Sequence, residues 1–300
     1  MASVRGVGDA SLYIARQQGL FRQAGLSVHI RPYPTVAAEV AALHSGAANV
    51  AAGDYASFFY AQEHAFFYAH QHYAAAPMVV LADGYDAGPG VMDVLVTAHS
   101  RINTPQDLRF KTIGTPEPPL IPVPGSLGGP PYSLETVAAS SVLENDGVQP
   151  ASVTWKPMPA DQLIGALRNH AVDAILVSEP EIYQAESQIG ARIVLDAGSG
   201  QTVNLPLEGY FTPASYAKQH RDALAAFRAA LMRAQASANQ PAPLDGALTH
   251  AGISRQAASL ITVGVYPTSL NVTSLQRVAD LMSFYGSLPH PLDVSKTIFR

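Results

Sequence analysis

The chain has 300 residues, 48% of them hydrophobic and 14% charged, with a net charge of −5 and no cysteine. That length and apolar content suit one large or two modest globular domains and exclude disorder for the bulk of the chain. The absence of cysteine excludes a disulfide framework, a thiolate nucleophile, a cysteine-ligated zinc and an iron-sulfur cluster, and an acidic balance without a Lys/Arg run argues against nucleic acid.

No basic region or apolar core of a signal segment precedes the first strand-like residues, 4–7, which reads either as a cytoplasmic protein or as one whose targeting segment has been removed. A helix over 12–18 follows, ended by Gly19, and a second strand over 26–30. Val36, Val40 and Leu43 recur at helical spacing up to Ser45-Gly46; a buried strand over 49–52 then leads through Gly53-Asp54-Tyr55 into a helix ending at Gln62. The longest apolar stretch, 74–82, is interrupted by Pro77 and falls short of the roughly 20 residues of a membrane span. A strand over 78–81 runs into the Gly/Pro-rich segment 83–90, a candidate hinge.

The alternation then begins again, with a strand over 93–96, a capped turn in which Thr104, Pro105 and Asp107 take the cap, first and third positions, and a strand over 112–114. The Pro/Gly-rich loop 115–131 is unusually long for a compact domain. Beyond it come a helix over 133–144, a strand over 153–155, a helix over 161–169, and strands over 174–177 and 192–195. After the polar stretch 198–204, a second candidate hinge, residues 207–211 cross back. The remainder reads as helices over 215–237, broken by Pro241 and Pro243, then 255–261, and a last helix with Thr273 and Gln276 as a capping box and Gly286 as its stop. These helices are expected to return onto the first block.

Strands alternating with helices predict an α/β fold around mainly parallel sheets. An internal repeat supports two related halves: Pro32-Tyr33-Pro34 echoes Pro157-Met158-Pro159, and Val40, Ala42, Leu43, Asn49 and Tyr55 align at one constant offset with Ile164, Ala166, Leu167, Asp173 and Glu179.

Several blocks carry a family likeness. The run Leu12-Tyr13-Ile14-Ala15-Arg16-Gln17-Gln18-Gly19-Leu20-Phe21 with Ala24-Gly25-Leu26-Ser27-Val28, then Ala42-Leu43-His44-Ser45-Gly46, then the 102–108 segment before Lys111-Thr112-Ile113-Gly114, and Val172-Asp173-Ala174 before Glu179-Pro180 occur in the order expected of one group. They resemble the solute-binding proteins of ABC importers for aliphatic sulfonates, nitrate, taurine and thiamine-pyrimidine precursors. One departure is Phe110, where the family usually has glycine. The resemblance implies a two-lobed type II periplasmic-binding-protein fold, each lobe a mainly parallel sheet flanked by helices, joined by two crossing strands with the ligand between. On that basis residues 1–86 and 207–300 form one lobe and 87–206 the other. It also implies a monomeric extracytoplasmic receptor with a small-molecule ligand and permease subunits as partners. Cofactor and metal are not expected, and contact with a membrane is only through a lipid anchor whose cysteine-bearing leader has been removed.

Parallel strands end where helices begin, so helix N-termini point into the crevice. The candidate ligand residues at such turns are Asp9, Ser11, Tyr13, Thr35, Asp54 and Tyr55 in the first half and Thr115, Glu117, Tyr132, Ser133 and Glu179 in the second, with Tyr85, Glu208 and Tyr210 on the crossing strands. Each has a plainer reading: Ser11, Thr35, Asp54 and Ser133 as helix caps, the tyrosines as core residues, Glu179 as a hinge contact. The acids, with no Arg or Lys at these turns, favour an amine or aminopyrimidine-like ligand, while the family's own frequency favours a sulfonate. His64, His70 and His72 lack a spaced carboxylate partner and read as loop histidines rather than a metal site. Enzymes share the implied fold, but those the chain resembles use cysteine; a ligand-binding regulator would need a DNA-binding helix pair for which there is no room before the first strand.

Overall fold

A computed structural model describes residues 1–3, 6–34, 36–63, 77–116, 133–288 and 290–300. The three loop histidines and most of the long Pro/Gly loop therefore lie outside the described residues. In chain order the strands are Ala2–Ser3 (β1), Arg31–Pro32 (β2), Ala51–Asp54 (β3), Met78–Asp86 (β4), Met92–Val96 (β5), Thr112–Pro116 (β6), Thr154–Met158 (β7), Ala174–Ser178 (β8), Arg192–Asp196 (β9) and Pro206–Pro213 (β10). They form two five-stranded sheets, ordered β2-β1-β3-β10-β4 and β7-β6-β8-β5-β9.

These orders are the same pattern twice, which is the physical content of the sequence repeat. In each sheet four strands run one way, and the fifth, β10 or β5, is antiparallel to both its neighbours. Each odd strand is the one reached by crossing from the other sheet, so "mainly parallel" becomes mixed where the chain changes sheets. The repeated helices are Val36–His44 (α3) before β3 and Ala160–Arg168 (α6) before β8. Leu43 and Leu167, equivalent in the repeat, are both buried.

The remaining helices are Ala10–Gln17 (α1), Leu20–Gln23 (α2), Tyr55–Glu63 (α4), Leu134–Asn145 (α5), Glu181–Ile189 (α7), Ala214–Gln219 (α8), Arg221–Ala238 (α9), Pro241–His250 (α10), Arg255–Ala258 (α11) and Val272–Phe284 (α12). Helix α1 packs on α9 and α10, with Phe21 stacked on Phe227 at 5.1 Å. Helix α12 touches α4 beside the first sheet and α5 beside the second, where the Tyr285 hydroxyl donates to Glu144 at 2.7 Å. The C-terminal helices thus reach beyond the first block.

Several local expectations change for identifiable reasons. Of the strand expected over 4–7, residues 4 and 5 lie outside the described residues, and Val7–Asp9 forms a 3₁₀ turn whose Val7 carbonyl accepts the Tyr266 hydroxyl at 2.7 Å. Residues 26–30 alternate in burial as a strand would, yet β1 has only two residues and pairs instead with Arg31–Pro32. Pro241 begins a helix rather than ending one, because proline at the first helical position sacrifices no hydrogen bond. Asn271, not Thr273, caps α12, accepting from the backbone N–H groups of Thr273 and Ser274, while Gln276 donates to the Leu292 carbonyl.

The family departure at Phe110 falls where backbone conformation matters. Phe110 has φ of 60° and its side chain is 86% exposed, so it bears the cost of a left-handed turn with little packing in return. Phe110→Gly is expected to raise stability by about 0.5–1 kcal/mol, the left-handed strain relieved less the extra chain entropy of glycine, as read by urea denaturation.

Candidate functional site

The carboxyl ends of β1 and β3, the middle of β10 and the first turns of α5 and α7 bring acidic side chains together. Asp54, the last residue of β3, lies directly opposite Glu208 on β10. Such cross-strand neighbours have Cβ atoms about 5 Å apart, close enough for like charges to repel. Glu208 in turn lies over Gly8, where any Cβ would overlap its carboxylate. Asp9, next in the chain, is buried and accepts from the Ser3 hydroxyl.

From the second sheet come Glu135, in the first turn of α5, and Glu181, the first residue of α7. Neither was singled out in the sequence, because a carboxylate in the first turn of a helix is explained by the helix dipole alone. Their membership is visible in the electrostatics. Burial raises Glu208 from the ordinary value of 4.5 to about 8, helped by the charges of Asp9, Asp54 and Glu135. Burial raises Glu135, with Asp54 adding to the rise, and burial followed by the charge of Glu135 raises Glu181. Burial likewise lifts Asp9 to about 7 and raises Asp54. No Arg or Lys among the described residues supplies a counter-charge to these five groups.

The helix N-termini at this cluster carry its acids, and Asp54 caps one of them. Asp54 Oδ1 accepts the Ser57 N–H at 2.7 Å at the start of α4, and Glu135 and Glu181 each turn back to their own backbone N–H. An outside anion at these helix starts would meet carboxylates already there.

The other candidates sit as follows. Ser11 and Tyr210 exchange a hydrogen bond of 3.1 Å, both buried. Ser133 caps α5, accepting from Thr136 N–H at 3.3 Å. Thr115 is fully buried with no hydrogen-bond partner for its hydroxyl. Tyr13 lies buried with the Arg16 guanidinium 5.3 Å from its ring centre. Tyr55 is wholly buried and donates to Asp83 at 3.0 Å, while the Tyr85 hydroxyl accepts the Gly264 N–H at 2.7 Å and its ring packs on Tyr266. Glu179 accepts from Tyr183 N–H at 3.1 Å and from Thr262 N–H at 3.2 Å, tying the end of β8 to the segment beyond α11. Thr35, Glu117 and Tyr132 lie outside the described residues.

The two segments that connect the sheets are bonded to each other. Ala87 N–H donates to Leu205 O at 2.8 Å and Asn204 N–H to Ala87 O at 3.0 Å. Arg277 of α12 donates to the Val203 and Asn204 carbonyls beside them.

Two mixed α/β sheets joined by a double crossing, with polar groups gathered at strand ends and helix starts, define a periplasmic-binding-protein fold. A family model described as NMT1/THI5-like matches residues 9–244, and the chain belongs to that family. Among solved structures, the chain is similar to the periplasmic aliphatic sulphonate binding protein SsuA from Escherichia coli, with a TM-score of 0.74, 16% identity, and coverage of 100% of this chain and 97% of that one. It is also similar to the periplasmic nitrate-binding protein NrtA from Synechocystis PCC 6803, with a TM-score of 0.72, 13% identity, and coverage of 98% and 83%. The desulfurization enzyme DSZB is similar too, with a TM-score of 0.70, 15% identity, and coverage of 99% and 95%. No curated protein sequence matches the chain significantly.

The raised Glu208 has a consequence for stability. Between about pH 4.5 and pH 8 the folded chain holds a proton that the unfolded chain has released, so stability falls as pH rises through that window. Glu208→Gln removes this contribution. Denaturation at about pH 5 and about pH 9 is expected to show a smaller loss of stability with rising pH in the variant than in the parent.

Proposed function

We propose that the chain is the extracytoplasmic solute-binding receptor of an ABC importer, and that its ligand is a small cationic or amine-bearing heterocyclic nutrient held between the two sheets. Residues 1–86 with 207–300 act as one lobe and 87–206 as the other, closing about residues 83–90 and 204–209. The closed form is presented by a monomer to the permease. The protein binds its ligand rather than transforming it, and the desulfurization enzyme bears on the fold alone.

The observation that carries the ligand class is the cluster of acids at the helix starts, with no Arg or Lys among the described residues supplying a counter-charge. A sulfonate or nitrate would compete with those carboxylates at the helix N-termini and would oppose the ionisation of each of them, whereas a cation favours it. An amine or amidine supplies the missing positive charge and forms charge-assisted hydrogen bonds with acceptors already in place. Closure follows if the ligand contacts acids from both sheets, since only such a ligand binds one geometry better than the other.

A thermal-shift panel of amines, aminopyrimidines, sulfonates and nitrate is expected to give its hits among the cations, and Asp54→Asn to weaken such a hit by about tenfold or more. A shift with sulfonate or nitrate alone would overturn the ligand class. Small-angle scattering with and without the hit is expected to show contraction; unchanged scattering at saturation would overturn closure, and turnover of the hit would overturn the receptor role.

A further inference from the structure

A cavity of about 340 Å³ lies away from the acid cluster, between β4, α9, the segment leading into α12, and Ile298 near the chain's end. Its walls are mostly apolar, formed by Ala82, Met232, Pro267, Leu270 and Ile298. That volume is within the range of small-molecule sites, which are mainly apolar with a few polar groups to fix orientation. Among the described residues Arg228 is the one cationic side chain lining it. Its guanidinium makes a long hydrogen bond of 3.4 Å to the Phe299 carbonyl and lies 5.4 Å from the Phe299 ring centre. Most of its five donors are therefore left for a ligand.

The acid in the wall does not cancel that charge. Burial, together with the charge of Asp86, keeps the Asp83 carboxyl well above its usual range, and its Oδ1 already accepts the Tyr55 hydroxyl. Gln235, fully buried, ties the cavity wall to the strand that runs to the crossing. Its amide N–H donates to the Asp83 carbonyl at 2.5 Å and to the Gly84 carbonyl at 3.5 Å.

We propose that this cavity is a second small-molecule site, which takes a small apolar carboxylate with its head on the Arg228 guanidinium and its tail against Met232, Leu270 and Ile298. The site is independent of the ligand between the sheets. A planar carboxylate suits a guanidinium in two-point pairing, and an alkyl or aryl tail removes the apolar walls from water. Through Gln235 an occupant bears on Asp83 and Gly84 of β4, just before the sheets part company at Asp86.

The test uses the full chain with methyl-labelled methionine, octanoate as the probe and octanol as its uncharged counterpart. Titration with octanoate is expected to shift the Met232 methyl resonance saturably, at least about tenfold more tightly than octanol. Arg228→Gln should remove that advantage and Arg228→Lys restore part of it, while Met232→Trp should fill the cavity and abolish binding of both probes. If Arg228→Gln does not fold, the octanoate-to-octanol ratio on the parent chain reads the same charge requirement. A Met232 resonance unmoved by octanoate, equal binding of the two probes, or undiminished binding to folded Met232→Trp would overturn the proposal.

Discussion

The register of β10 is the constraint on which the rest of the structure depends. This strand returns from the second sheet and enters the first between β3 and β4, antiparallel to both. Its residues alternate between faces, so one placement sets three contacts at once. Glu208 comes opposite Asp54, the backbone at Gly209 packs against the Tyr55 ring, and Tyr210 reaches Ser11 on α1. Glu208 and Tyr210, two residues apart, share a face, so a slip of one residue would turn both away, the acid from Gly8 and the tyrosine from Ser11. Gly209 enforces the register, because a side chain there would collide with the Tyr55 hydroxyl.

From that placement comes an electrostatic arrangement unusual for a site among helix N-termini. Such ends attract anions, and here the chain supplies them itself through Asp54, Glu135 and Glu181. With Asp9 and Glu208 added and no counter-charge from Arg or Lys among the described residues, the group lowers its energy by holding protons. A positive charge brought to such a group would favour the ionised form of every member. Nearness in fold to sulfonate- and nitrate-binding proteins is compatible with this, since the backbone scaffold is shared while the side chains at the helix starts decide the sign of the charge.

Much of the architecture was legible in the sequence, and the failures have physical causes. The α/β alternation, the repeat and the crossing back near 207–211 rest on apolar periodicity and turn chemistry, which act locally. The helix at 241–250 was hidden because Pro241 and Pro243 read as breakers unless the helix begins at them. The strand expected at 26–30 gives way to Arg31–Pro32, where β1 pairs, because the register of a long-range pairing is encoded in no local pattern. At the site, Asp9, Asp54 and Glu208 stood out as acids near turns, whereas Glu135 and Glu181 looked like ordinary first-turn carboxylates. Their significance lies in facing acids contributed by the other sheet, a long-range fact. The tyrosines show the reverse: Tyr55 and Tyr85 stood out at turns and crossings, and their hydroxyls are engaged by Asp83 and Gly264.

The central claim is that protons held by crowded carboxylates give way to a cationic ligand. Calorimetric titration at about pH 7 in buffers of different ionisation enthalpy counts the protons exchanged when a ligand binds. Net proton release on binding is expected, because groups raised to about 7 and about 8 ionise as the positive charge arrives. Proton uptake on binding, or tight binding of an anion with no protons exchanged, would contradict it.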